Sequence, residues 1–141
     1  MKHRFPILTL ALSMLTALCP ADSEKPNVVF FLVDDMGWKD LGCFGAKLYE
    51  TPHIDSLCTE GIRFMQAYTS TAICSPARAT VLTGRHPMKM QMWNHMHSIP
   101  QGQKILPQYL KDAGYQNWHV GKWHMGNEKD KTLPEDLGFD T

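Results

Sequence analysis

Ten residues near the start of the chain constrain its fold more than any other stretch. Residues 26–35 read PNVVFFLVDD, a run of apolar and β-branched residues that ends in two carboxylates. A run without polar alternation is typical of a strand buried on both faces, as in a parallel sheet. We therefore predict a strand here, with Asp34 and Asp35 at its carboxyl end.

Helical and strand patterns follow one another along the rest of the chain. TPHIDSLCTEG predicts a helix that starts at Pro52 and stops at Gly61, and SPARATVLTG predicts a second helix with Ser75 as its N-cap. ILPQYLKDAG predicts a third helix closed by Gly114, while IRFMQAYTS and YQNWHVGKWHMG read as strands. This order predicts an α/β domain with a largely parallel sheet flanked by helices.

The first 21 residues differ from the remainder. MKHR is basic and is followed by an apolar run and a polar exit, which predicts a secretory signal peptide cut after Ala21. The run is too short to predict a stable membrane span, and Leu18 disfavours a lipid anchor at Cys19 because a small residue is expected before such a cysteine. We expect a secreted or periplasmic protein whose remaining domain is 22–141.

Charge and cysteine content narrow the partners. The 141 residues contain 14 Lys and Arg against 14 Asp and Glu, a formal net charge of +0, so no nucleic-acid partner is expected. Three of the 4 cysteines lie beyond the signal peptide, and one thiol is left over if two of them pair in an oxidising compartment. We expect Cys74 to be that one, while the state of Cys43 and Cys58 stays open.

The acidic pair is the first candidate site. Ligands of open α/β sheets bind outside the carboxyl ends of the strands, where we place Asp34 and Asp35. Two adjacent carboxylates suit a hard divalent ion such as Ca²⁺ or Mg²⁺. A solvated acidic turn is the alternative.

Cys74 is the second candidate. It lies just ahead of a predicted helix, where free N–H groups favour an anion, and Arg78 follows one turn later. These surroundings suit a ligand with tetrahedral oxygens and also favour a reactive thiolate. A tyrosine-phosphatase loop needs five residues between the cysteine and the arginine, and here there are three. A disulfide or a buried thiol is the structural alternative.

Lys122 and His124 form the third candidate. They alternate in GKWHMG, so on a strand they share one face. Lysine offers a point charge for an oxyanion, and histidine exchanges protons near neutral pH. Two unrelated surface residues after a strand are the alternative.

These motifs together resemble one family. ICSPARATVLTGR resembles the C-x-P-x-R core and L-T-G-R tail of the sulfatases, in the alkaline-phosphatase superfamily. PNVVFFLVDDMGWKDLGCFG, TPHIDSLCTEGIRF, YQNWHVGKWHMG and LPEDLGFD resemble further segments of that family, so the likeness runs from Pro26 to Thr141. It implies an alkaline-phosphatase-like fold and the hydrolysis of sulfate esters, with an aryl sulfate or a sulfated glycan as substrate.

The resemblance also implies a covalent mechanism. A separate formylglycine-generating enzyme would oxidise Cys74 to formylglycine, whose hydrated aldehyde attacks the sulfur through one hydroxyl. The second hydroxyl then collapses to the aldehyde and expels sulfate. His124 would assist this second step by helping to deprotonate that hydroxyl.

The same likeness assigns the charged residues. Asp34 and Asp35, with the oxygen at position 74, would bind Ca²⁺, while Arg78 and Lys122 would hold the diol and the sulfate oxygens. Ca²⁺ takes six to eight oxygen ligands, and the family's further ligands lie in segments beyond those matched here. We therefore expect an N-terminal portion of the catalytic domain, incomplete, with little turnover from the isolated 141-residue chain.

Two other functions stay open. A relative with the same cysteine motif could act on phosphate or phosphonate esters. Alternatively, MKMQMWNHMH within residues 86–97 could bind Cu(I), because thioether and imidazole ligands alternate there. The residues concerned are Met88, Met90, Met92, Met96, His86, His95 and His97. A methionine-rich loop that lines a substrate cleft is the alternative that we favour.

Overall fold

The structure is a computed structural model that describes residues 25–140. The predicted signal peptide, residues 1–21, lies outside the described residues. The chain divides into two compact units, one ending at Val33 and one beginning at Asp34, and all of the candidate site residues belong to the second. Of the helices in the described part, none is long and apolar enough to cross a membrane.

The described part of the second unit contains three α-helices, and each one was predicted. Helix α1 spans Pro52–Glu60, α2 spans Cys74–Thr83 and α3 spans Leu106–Asp112. Each helix has a proline in its first turn. Proline is tolerated there because the first-turn N–H groups have no partner within a helix, so the N–H that proline lacks is not missed. Short 3₁₀ turns at Gly42–Phe44, Pro87–Met90 and Glu135–Leu137 complete the regular structure of residues 25–140.

The start of α2 corrects one prediction. Ile73 is the N-cap, and the helix begins at Cys74 rather than after Ser75. The N–H of Ala77 donates to the carbonyl of Ile73 at 3.0 Å, which closes the first turn. Proline is tolerated anywhere in a first turn, so Pro76 marks the helix start only to within two residues. Gly84 ends α2 in the left-handed region, at φ 66°.

No strand is assigned between residues 25 and 140. The predicted sheet therefore stays a prediction, since a strand is defined by its hydrogen-bonded neighbour. In the first unit, the apolar side chains of residues 28–33 are 40–82% exposed. Such exposure is expected for a strand-forming sequence that has no neighbouring strand beside it.

A small core fixes the functional side chains of the second unit. Its members come from α2, from residues 90–105, from residues 123–125 and from position 137. They are Ala79, Met90, Met92, Ile99, Ile105, Met125 and Leu137, with Leu82 and Trp123 packed against them. The N–H of Ile99 donates to the carbonyl of Met125 at 2.8 Å, which joins two of these segments.

The core separates inward-facing from outward-facing residues beside the site. Trp123 packs against the core and Met125 is buried, whereas Lys122 and His124 are exposed. The predicted alternation of Lys122 and His124 is therefore present, although no strand carries it. On α2, Ala79 lies in the core directly after Arg78, so the same core positions both segments.

Candidate active site

Asp34 is the centre of a charged network. Its Oδ1 lies 2.9 Å from Nη2 of Arg78, and its Oδ2 lies 2.5 Å from Nζ of Lys122. Hydrogen bonds from Lys122 and then from Arg78 hold the pKa of the Asp34 carboxyl below its ordinary value. The carboxylate in turn raises the pKa of Lys122. Asp34 is thus an anion and Lys122 a cation throughout the neutral range.

Arg78 connects the three segments of the site. Its Nη1 donates to the backbone carbonyl of Lys122 at 2.8 Å while Nη2 donates to Asp34. Its side chain is only 9% exposed. The sequence prediction gave Arg78 a role in holding the sulfate oxygens. In the structure its terminal nitrogens hold Asp34 and the Lys122 backbone, so its observed contacts position other groups, and its role toward sulfate stays a prediction.

Cys74 lies beside the acidic pair. The Sγ of Cys74 and one carboxylate oxygen from each of Asp34 and Asp35 all lie within 4.8 Å of one another. Cys74 is the first residue of α2, where unpaired N–H groups and the helix dipole favour negative charge. The Cys74 thiol also contributes to the raised pKa of Lys122, which places the ammonium group near the sulfur.

Two residues of the site have unusual backbones. Asp35 has φ 54° and His124 has φ 57°, both in the left-handed region that residues with a Cβ rarely adopt. Such conformations cost about 1–3 kcal/mol each and cluster at functional sites. Between residues 25 and 140 only Gln91 and Lys131 share this feature among the non-glycine residues.

His124 has a different described contact from that of Lys122. Its described contact is with the ring of His95, at a centroid distance of 6.1 Å and an interplanar angle of 37°. The proximity of His95 was not predicted, because its sequence position gives no sign of an approach to residue 124. Two imidazoles therefore lie close to each other at the residue that follows Lys122 by two positions.

The donor set partly fits calcium. Two carboxylates are the hard oxygen ligands that Ca²⁺ prefers, whereas a thiol sulfur is soft. Conversion of Cys74 to formylglycine would replace that sulfur by an oxygen. Asp34, Asp35 and residue 74 are the one group of potential metal-ligating His, Cys, Asp and Glu residues found between 25 and 140. Three residues supply fewer than the six to eight oxygens of a complete calcium shell.

The methionine-rich segment is divided between the core and the surface. Met92 is fully buried and Met90 is 4% exposed, both within the core, whereas Met88 and Met96 are 63% and 82% exposed. The Sδ of Met90 accepts a hydrogen bond from Thr83. The four thioethers are therefore divided between the core and the solvent and do not surround one ion together, which removes Met90 and Met92 from the predicted ligand set.

Comparison with known proteins gives a consistent result. The sulfatase family profile matches residues 26–141. N-acetylgalactosamine-6-sulfatase of Rattus norvegicus is 40% identical over 96% of this chain and 27% of its own length. Steryl-sulfatase of the same organism is 37% identical over 85% of this chain and 23% of its own length. The chain thus spans about a quarter of the curated relatives it matches.

Solved structures agree with the sequence relatives. BT4656, solved in complex with its substrate D-glucosamine-2-N,6-O-disulfate, superimposes with a TM-score of 0.74 at 33% identity. The superposition covers 83% of this chain and 22% of that one. Within the compared region the chain therefore has the fold of that protein, which supports the alkaline-phosphatase-like architecture expected from sequence.

Proposed function

The chain belongs to the sulfatase family, and from that premise we propose that it forms part of an active site that hydrolyses sulfate esters. The observation that carries the proposal is the meeting of Cys74 with Asp34 and Asp35 within 4.8 Å, beside the ammonium group of Lys122. These groups belong to three segments that are distant in sequence. Their charges suit an anionic substrate next to a bound cation.

Two groups complete the proposed chemistry. Asp34 and Asp35 would hold a calcium ion that would neutralise charge on the sulfate oxygens, and formylglycine at position 74 would supply a hydrated aldehyde as the nucleophile. Conversion of Cys74 requires a formylglycine-generating enzyme as partner. The motif Cys74, Pro76 and Arg78 is the segment that such an enzyme would read.

The chain's own residues bind and orient the substrate. Lys122 presents its ammonium group to a sulfate oxygen, and the N–H groups at the start of α2 face the same negative charge. Arg78 keeps Asp34 and Lys122 in place through the bonds at 2.9 and 2.8 Å. The imidazole of His124 would accept a proton from the second hydroxyl at position 74 during sulfate expulsion.

We propose a sulfated amino sugar of a glycan as the substrate class. The support comes from N-acetylgalactosamine-6-sulfatase and from BT4656 with its glucosamine disulfate. Because residues 25–140 provide only part of a calcium shell, we expect the isolated 141-residue chain to release little sulfate.

Sulfate release from three substrates tests the proposal. We expect the protein purified from its native source to hydrolyse N-acetylgalactosamine 6-sulfate and an aryl sulfate in preference to an aryl phosphate. Lys122→Ala should lower sulfate release by at least about 100-fold, as for the loss of one group that stabilises developing charge. Lys89→Ala is a control at an exposed lysine outside the site. A preference for the aryl phosphate would instead identify a phosphoesterase of the same superfamily.

A further inference from the structure

Two cysteines outside the active site lie almost in contact. The Sγ atoms of Cys43 and Cys58 are 2.9 Å apart, although both thiols are free. Cys43 belongs to the 3₁₀ turn Gly42–Phe44, and Cys58 lies in the last turn of α1. Both side chains are partly exposed and line an open surface groove.

The approach of the two sulfurs is fixed by other contacts. The N–H of Cys43 donates to Oδ1 of Asp55 at 2.7 Å, and the N–H of Gly42 donates to Oγ1 of Thr51 at 2.8 Å. Thr51 also donates to the same Asp55 oxygen at 3.0 Å. The turn is therefore bonded to the first turn of α1, which holds Cys43 over Cys58 one turn further along.

A metal site does not explain this pair. Within residues 25–140, no third His, Cys, Asp or Glu ligand joins the two sulfurs within metal-binding distance. Asp55 accepts hydrogen bonds through its Oδ1 from the N–H of Cys43 and from the hydroxyl of Thr51. Two preorganised thiols without further ligands suit covalent pairing.

We propose that Cys43 and Cys58 form a redox-active pair that closes a disulfide between the 42–44 turn and α1. The oxidant is a small or protein disulfide, and the proposal is independent of the sulfatase chemistry. Once closed, the disulfide connects α1 to the chain segment that follows Asp34 and Asp35. Reduction returns the turn to its hydrogen bonds alone.

The exchange proceeds in two balanced steps. The thiolate of Cys58 attacks one sulfur of the oxidant, which forms a mixed disulfide and releases one thiol. Cys43 then attacks the Cys58 sulfur, which forms the intramolecular bond and releases the second thiol. Two protein thiols are oxidised, one external disulfide is reduced, and the two thiol protons pass to the leaving sulfurs. The Cys58 side chain, burial and Asp55 raise the pKa of Cys43 to about 11.

Glutathione exchange followed by peptide mapping tests the pair. The folded 141-residue chain is equilibrated with reduced and oxidised glutathione, alkylated and digested with trypsin without reduction. Cleavage at Lys39, Lys47, Arg63 and Arg78 places Cys43, Cys58 and Cys74 in three different peptides and separates them from Cys19. Cys43 lies in peptide 40–47, Cys58 in 48–63 and Cys74 in 64–78. We expect peptides 40–47 and 48–63 to be linked, and the link to persist in Cys74→Ser.

Denaturation supplies the matched control. In urea the fraction of linked 40–47 and 48–63 should fall at least about tenfold at the same glutathione ratio, because the effective concentration of the two thiols is lost. Equal linkage in folded and denatured chains would overturn the proposal, as would full alkylation of both cysteines. Protection from alkylation that appears only with added Zn²⁺ and disappears with a chelator would overturn it in favour of a metal site.

Discussion

Arg78 is the residue whose removal tests the architecture of the site most sharply. In Arg78→Met a side chain of similar length replaces the guanidinium group. The carbonyl of Lys122 then loses a donor at 2.8 Å, and Asp34 loses one at 2.9 Å. A hydrogen bond from a charged donor contributes about 1.5–3 kcal/mol. We apply that range to the bond to the Lys122 carbonyl alone, since Asp34 is partly exposed.

Urea unfolding measures this loss. With a urea slope of about 1–2 kcal/mol/M for a chain of this size, we expect Arg78→Met to lower the midpoint by about 1–2 M. Arg78→Lys should give a smaller drop, because one ammonium group cannot reach both acceptors in the geometry of the planar fork.

A matched arginine controls for the loss of charge. Arg85 is exposed, two residues beyond the end of α2, so Arg85→Met should change the free energy of unfolding by less than about 0.5 kcal/mol. If Arg78→Met shifted the midpoint no more than Arg85→Met does, the proposed positioning role of Arg78 would be refuted.

Three further predictions follow from other contacts. The folded state lowers the pKa of Asp34, so the Asp34 carboxylate contributes its full stabilisation above the ordinary carboxyl pKa of 3.8. This contribution is lost as pH falls through the pKa of Asp34 in the folded state. Asp34→Asn should therefore flatten the pH dependence of the urea midpoint below pH 3.8. Met92 is fully buried whereas Met96 is 82% exposed. Met92→Ala should therefore lower the free energy of unfolding by about 2–5 kcal/mol, while Met96→Ala should leave it nearly unchanged. Equal effects would contradict the assignment of Met92 to the core. A Cβ at Gly126 would lie 2.0 Å from Oγ1 of Thr132, so Gly126→Ala should lower the melting temperature, and an unchanged melting temperature would contradict that packing.

The sequence predicted the parts of the site that depend on local spacing. Cys74 and Arg78 lie one helical turn apart, and the helix that carries them was expected from Pro76 and Gly84. The inward and outward alternation at 122–125 was likewise visible in GKWHMG. Such features follow from a few adjacent residues, so no distant contact is needed to predict them.

Contacts between distant segments could not be derived in the same way. Arg78 lies 44 residues from both Asp34 and Lys122, and Asp34 lies 88 residues from Lys122. The family resemblance grouped them in one site, but it did not give these contacts. The N-cap was predicted wrongly because proline fits several first-turn positions equally well. The sheet stays a prediction because paired strands can lie at any distance from each other in sequence.

The mass of one peptide tests the central claim most directly. Trypsin releases residues 64–78, FMQAYTSTAICSPAR, from the protein purified from its native source. The account predicts a peptide in which the CH₂SH of Cys74 has become an aldehyde, with H₂S lost and one oxygen gained. A hydrazide reagent should add to that aldehyde. A peptide that carries only unmodified Cys74 would contradict the proposed mechanism.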